Sequence, residues 1–116
     1  MVSSGGAKRS RRDRKLDLIF QALSDSTRRK LIERLAKGPA MVTELAEPFD
    51  ISLPAVSRHL KVLEHANLVK RAIDGRIHHC SLSTRPLRDL QQWLDSYRPF
   101  WEETLDALSR YIDGDK

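Results

Sequence analysis

The stretch that decides the fold is Ser52-Leu53-Pro54-Ala55-Val56-Ser57-Arg58-His59-Leu60-Lys61-Val62-Leu63-Glu64-His65-Ala66-Asn67-Leu68-Val69-Lys70-Arg71-Ala72-Ile73-Asp74-Gly75-Arg76. Within it the hydrophobic period changes. Leu53, Val56, Leu60 and Leu63 recur at helical spacing and predict one inward face. Ser52 is the expected cap, and Pro54 falls in the first turn, where a missing N–H costs nothing. The other face offers Ala55 and Ser57, then Arg58 and Lys61, so small residues precede cations. The helix is expected to end near Ala66-Asn67, after which the period drops to two. Residues 68–73 and 76–82 read as short strands around Asp74-Gly75, the signal for a two-residue type I′ hairpin.

Upstream, Leu16, Ile19, Phe20 and Leu23 form one face of a first helix, with Leu18 and Ala22 as a second apolar strip. Ser24-Asp25-Ser26 starts a second helix carrying Leu31, Ile32 and Leu35, which Gly38-Pro39 stops. Thr43 is placed to cap a short third helix with Leu45 and Ala46, limited by Pro48. Downstream, Leu87, Leu90, Leu94, Tyr97, Trp101, Leu105, Leu108 and Ile112 step by three and four, flanked by Trp93 and Phe100. That predicts a helix of about 26 residues, or roughly 39 Å, which Pro99 should kink or split.

The order helix, helix, short helix, helix, hairpin, helix is that of a winged helix-turn-helix: mainly α with a small β-hairpin. The expected division is a basic flexible arm over residues 1–13, the DNA-binding domain over 14–83 and a dimerisation helix over 84–116 within the same domain. The final apolar stripe exceeds what so small a core absorbs, so symmetric pairing of two copies through the terminal helices is expected. Leu16, Ile19, Leu90, Trp93, Leu94, Tyr97, Trp101 and Leu105 are the candidate interface residues.

Charge and composition narrow the function. The 116 residues carry a formal net charge of +5, and residues 1–15 alone hold six basic groups against one acidic. The remaining basic and acidic groups balance, but residues 52–76 are locally basic and the segment from Arg85 is locally acidic. Such polarity suits a directional contact with an anion. With 40% hydrophobic and 32% charged residues, the chain is not disordered by composition. No apolar run approaches the roughly 18–20 residues of a membrane span, and the polar, basic N-terminus lacks the apolar region of a secretory signal. One cysteine excludes an internal disulfide framework and suits a reducing cytoplasm. No Gly-rich phosphate loop, nucleophile elbow or Ser/His/Asp arrangement points to an enzyme. Glu102 and Glu103 face about 100° apart on a helix and form a solvated face, not an acid/base pair.

A major groove about 12 Å wide admits one α-helix, and residues near the start of the motif's second helix read base edges there. Arg58 and Lys61 reach guanine edges or phosphates from that helix. Arg71, Arg76 and His78 put further donors on the hairpin around Gly75, and Arg9, Arg11 and Arg12 belong to an arm suited to a minor groove.

Leu23-Ser24-Asp25-Ser26-Thr27-Arg28-Arg29 with Leu31-Ile32-Glu33-Arg34-Leu35, Val42-Thr43-Glu44-Leu45-Ala46, and the string from Ser52 to Leu63 resemble the ArsR-type (ArsR/SmtB) repressors, as does the wing around Asp74-Gly75-Arg76. The resemblance covers about residues 16–112. It implies a homodimeric winged-helix repressor on an inverted repeat in promoter DNA, paired through its first and last helices. It also implies that Ser52, Pro54, Ala55, Ser57, Arg58, His59 and Lys61 lie nearest DNA. Metal-sensing members carry Cys-x-Cys on the third helix or paired Asp/His and His/Glu ligands on the last. Here the third helix reads Glu44-Leu45-Ala46-Glu47-Pro48-Phe49 and the last has no His, so metal sensing does not carry over and no cofactor is expected.

Other readings stay open at this stage. Winged helices also serve as protein–protein modules, and a basic chain can be a non-specific architectural DNA binder. His78 and Cys80 share one strand face, with His79 on the other, so the pair is a metal ligand set, a redox site, or a core thiol beside a phosphate-binding imidazole. His59 is either a packing residue or a phosphate contact. Arg28 and Arg29 either touch phosphate or pair internally with Asp25 or Glu33. The operator, the regulated genes and any inducer are not written in the sequence.

Overall fold

The computed structural model describes residues 9–114. Helices α1 (Arg11–Leu23) and α2 (Ser26–Leu35) precede a short strand β1 (Ala40–Met41) and helix α3 (Val42–Ala46). Then come α4 (Leu53–His65), strands β2 (Val69–Asp74) and β3 (Ile77–Leu82), and helices α5 (Arg85–Asp95) and α6 (Arg98–Ile112). The antiparallel sheet has the order β1-β3-β2.

Local chemistry sets most boundaries. The Ser10 hydroxyl accepts from Asp13 N–H at 3.0 Å, and the Asp13 carboxylate accepts from Ser10 N–H at 3.3 Å. This reciprocal cap starts α1 at Arg11, so residues 11–13 are helical and the expected arm is shorter than its stated boundary. Residues 1–8 of that arm lie outside the described residues. Asp25 caps α2 by accepting from Arg28 N–H at 3.1 Å, and Ser52 caps α4 by accepting from Ala55 N–H at 3.2 Å.

Helix α3 begins at Val42, one residue before the expected Thr43 cap; its first turn is closed by Glu44 Oε1, which accepts from Met41 N–H at 2.9 Å. The sequence gives no sign of β1. Two residues carry no legible period, and their pairing, Ala40 with Cys80 and Met41 with His79, is a tertiary event.

The switch from helix to wing is a left-handed C-cap. Asn67 adopts φ +60°, Leu68 N–H donates to Leu63 O at 2.9 Å, and Asn67 N–H donates to Glu64 O at 2.9 Å. The chain then enters β2, whose register with β3 runs from Val69–Leu82 to Asp74–Ile77. The turn residues are therefore Gly75 and Arg76, one position later than expected. Only Gly75 has positive φ, +64°, whereas a type I′ turn needs it at both central residues; a single glycine at the first position is the II′ pattern.

The core gathers Leu31 and Leu35 from α2, Leu45 from α3, Val56, Leu60 and Leu63 from α4, and Leu68 and Cys80 from the wing. Leu53, expected inside, is 48% exposed because it opens the helix beyond the edge of that core. Phe20 likewise leaves the inner face of α1, where Ala22 is buried instead; its ring meets Trp93 of α5 edge-on at 5.2 Å.

The expected long C-terminal helix is split at Ser96–Tyr97, with Pro99 in the first turn of α6. Helix α6 has no buried residue. Phe100, Leu105, Leu108, Tyr111 and Ile112 are all exposed. The radius of gyration is 18.9 Å, against about 13 Å for a compact domain of roughly 100 residues. An amphipathic helix projects from the body, its apolar side uncovered among the described residues.

Candidate nucleic-acid interface

Helix α4 turns one side to the core through Val56, Leu60 and Leu63. At about 100° per residue the opposite side carries Pro54, Arg58, Lys61 and His65. All four are exposed, and among the described residues Arg58 and Lys61 have no ion pair. Ala55 and Ser57 are half-buried on the flanks. His65 was not among the expected site residues; its place four positions after Lys61 on the same row was the available signal.

The wing lies beside the start of this helix. A cavity of about 410 Å³ separates them, with Leu53 and Ser57 of α4 on one wall, Val42 of α3 on another, and Arg76, Ile77 and His78 of the wing on the third. Arg76 is exposed in the turn, next to the left-handed Gly75.

Arg71 does not join that free surface. Its side chain is 12% exposed, with Nη2 3.1 Å from Glu64 Oε2 on α4 and Nη1 3.3 Å from His78 Nδ1 on β3. Among the described residues neither Nε nor Nη2 has a hydrogen-bond partner, so the contact with Glu64 is an ion pair alone. Arg71 ties the wing to α4 rather than pointing away from both.

His59 is also engaged internally. Its Nδ1 lies 3.2 Å from Arg28 Nη1 and 3.8 Å from Asp25 Oδ2. Arg28 in turn donates from Nε to Ala22 O at 2.6 Å and from Nη2 to Gln21 O at 3.1 Å, and Arg29 donates to Leu23 O at 2.7 Å. Both arginines thus satisfy carbonyls at the end of α1, a use that spacing toward Asp25 or Glu33 does not reveal. The Asp25 carboxyl is held below its ordinary range, first by the N–H of Arg28 and then by the charges of His59 and Arg28, with burial opposing.

The arm residues are not brought to this face. Arg9 pairs with Asp17 at 2.7 Å, and Arg11 and Arg12 sit on α1 beside Asp89 and Gln92 of α5. Of the expected pairing residues, Leu16 and Ile19 are buried within their own chain, where α1 packs on α5, and so are not available to a second copy. Leu90, Trp93 and Trp101 are half-buried, while Leu94, Tyr97 and Leu105 are exposed.

Cys80 is fully buried against Ala40 and Arg71 in the sheet, and burial pushes its thiol up. Among the described residues no three His, Cys, Asp or Glu side chains cluster as a metal site would require, and no helix is long and apolar enough to cross a membrane.

A helix-turn-helix domain model matches residues 23–72, which span α2 through most of β2. The chain is 42% identical over 99 residues to the HTH-type transcriptional regulator Rv2034 of Mycobacterium tuberculosis, covering 85% of this chain and 90% of that protein. It is 37% identical over 76 residues to the transcriptional repressor SdpR of Bacillus subtilis, covering 66% of this chain and 84% of that one. Among solved structures, the ArsR family transcriptional regulator RHA00566 matches with 39% identity and a TM-score of 0.73, covering 77% of this chain and 92% of its own. With its exposed recognition row, its wing and these relatives, the chain belongs to the ArsR-type family of winged helix-turn-helix transcriptional regulators.

Proposed function

We propose that this protein is a homodimeric repressor that occludes a promoter by binding an inverted repeat. Two copies of α4 enter successive major grooves about one helical turn, roughly 34 Å, apart. In each, Ser52, Pro54, Ala55 and Ser57 allow close approach and Arg58 and Lys61 reach base edges or phosphates. Gly75 and Arg76 place the wing on the flanking backbone. The copies pair through α5 and α6, with Leu94, Tyr97, Trp101 and Leu105 covered on association. The protein works in the cytoplasm as a binding protein, not an enzyme.

The observation that carries this reading is the exposed row of Pro54, Arg58 and Lys61, with both cations free of internal pairing among the described residues. The dimer is supported by the uncovered apolar side of α6. Two-fold pairing also matches a two-fold target.

Selection of bound duplexes from a random DNA pool at near-physiological salt tests the reading. An enriched inverted repeat with half-site centres roughly 10 base pairs apart is the expected result. Salt-sensitive retention without enrichment would make the protein an architectural binder, and no retention would assign the winged helix to a protein partner.

A further inference from the structure

The cavity between the wing and the start of α4 has the make-up of a small-molecule site. Its volume of about 410 Å³ falls in the range of roughly 300–1,000 Å³ that small ligands fill. Much of its wall is apolar: Met41 of β1, Val42 of α3, Leu53 of α4 and Ile77 of β3 all line it. Leu53 is 48% and Ile77 47% exposed, and neither is part of the core. Two large apolar side chains thus stand open to water around one cavity. Protein–DNA contacts are polar and cationic, so a phosphate backbone does not call for such a wall.

The polar part of the lining is one-sided. Arg71, Arg76 and His78 belong to it, and no carboxylate does. Arg76 has no ion pair among the described residues. Arg71 is the more informative cation. Its side chain is 12% exposed, and its Nε and Nη2 are buried without a hydrogen bond. Nη2 has the ion pair with Glu64, whose carboxylate lies outside the cavity lining; Nε has no acceptor at all. A buried guanidinium nitrogen without an acceptor is costly. Its planar fork matches a carboxylate, which is acceptor-only.

We propose that this cavity binds a small organic carboxylate with an apolar body. The body lies against Val42, Leu53 and Ile77, the carboxylate accepts from Arg71, and Arg76 adds charge at the mouth. The same cavity is lined by Pro54, Ser57 and Arg76, which the proposed function gives to DNA. Ligand and DNA therefore exclude one another, and the acid releases the protein from its operator. This second half rests on the DNA-binding reading above; the site itself does not. By linkage, DNA weakens binding of the acid by the same factor.

Phenylacetate is the probe, and phenylacetamide is its neutral match. Each is titrated into the nitrogen-15-labelled full chain without DNA and followed by NMR. Phenylacetate should shift the backbone signals of Val42, Leu53 and Ile77 and the side-chain Nε–H signal of Arg71. It should bind at least about tenfold more tightly than the amide. L53D sets a negative charge on the wall at an exposed position outside the core, so the fold should stand while the acid binds about tenfold or more weakly. R71K keeps a cation but loses the fork, and should weaken the acid while leaving the amide unchanged. Equal binding of acid and amide, shifts confined to the exposed side of α6, or no shift up to about 10 mM would each overturn the site. A second arm follows fluorescence anisotropy of the selected duplex as phenylacetate is added. At about ten times its dissociation constant the acid should lower duplex affinity about tenfold. Unchanged affinity with the NMR shifts in place would overturn the exclusion of DNA. Protein that retains no duplex even without the acid fails the DNA reading itself, and the titration without DNA still decides the site.

Discussion

Arg71 on the first strand of the wing stands with Nη2 3.1 Å from Oε2 of Glu64 on the recognition helix, and both side chains are largely shielded from water. The pair joins the helix and the wing that the proposed function places on DNA together. Its partners sit in reduced dielectric, so loss of one leaves the other poorly solvated. R71M should lower stability by about 1–3 kcal/mol in chemical unfolding. It should also weaken binding to all duplexes alike, because the wing loses its orientation and not a base contact. Unchanged stability would mean that the strand ladder alone orients the wing.

Arg58 and Lys61 lie on one exposed row but should differ in kind. R58A should cost about 1–3 kcal/mol on the selected repeat and much less on unrelated duplex, as expected of a bidentate guanine contact. K61A should weaken both about equally and reduce the salt slope by about one. Fluorescence anisotropy at several salt concentrations measures both quantities, and equal losses for R58A on all sequences would assign Arg58 to phosphate.

The two groups of expected pairing residues should respond oppositely. Leu105 is 60% exposed on a helix with no buried residue, whereas Leu16 is 6% exposed beneath α5. L105D should raise the dimer dissociation constant on the order of 10²–10³-fold and leave the monomer folded, as read by light scattering and circular dichroism. L16A should instead destabilise the fold by about 2–5 kcal/mol. A folded, fully dimeric L105D would remove α6 from the interface.

Asp25 caps α2 and its carboxyl is held below the ordinary value of 3.8, chiefly by the N–H of Arg28. A carboxylate whose native value is depressed contributes stability above the unfolded value and loses it as pH falls through the native one. Wild-type stability should therefore decline in part through Asp25 as pH drops below about 4. Asparagine caps a helix about as well as aspartate but does not titrate there. D25N should be close to wild type at neutral pH and show a shallower acid loss in unfolding curves taken from pH 6 downward. Parallel curves would show that other carboxylates carry the acid sensitivity.

Burial pushes the Cys80 thiol up, although the charge of Arg71 opposes it. The thiolate is the reactive form, so native Cys80 should react with an alkylating agent only through opening of the sheet. Its labelling should be on the order of 10³-fold or more slower than in denaturant. Fast labelling of native protein would mark the wing as mobile and return a redox role to consideration.

Sequence alone determined the order of the helices and the wing hairpin, because these elements are written in a short-range code. Ser52 and Asp25 are caps whose oxygens reach N–H groups three residues on. The change from period 3.6 to period two at Asn67-Leu68 marks the passage from recognition helix to wing, and Pro99 marks the break before α6. The exposed Arg58–Lys61 row was legible for the same reason, since the side opposite Val56, Leu60 and Leu63 follows from helical geometry.

Tertiary structure decided what depends on partners distant in the chain. Strand β1 exists only because Cys80 and His79 lie beside Ala40 and Met41. Gly75 and Arg76 became the turn because the β2–β3 register pairs Asp74 with Ile77. Leu16 and Ile19 share a helical face that the sequence could assign equally to a partner copy or to α5, and packing gave them to α5. Arg28, Arg71, His59 and His78 look alike as donors in a string of letters. Where each guanidinium finds its carbonyl, carboxylate or imidazole is set by contacts across the fold, so the division between the arginines that brace the surface and the groups left free on it appears only once the chain has folded.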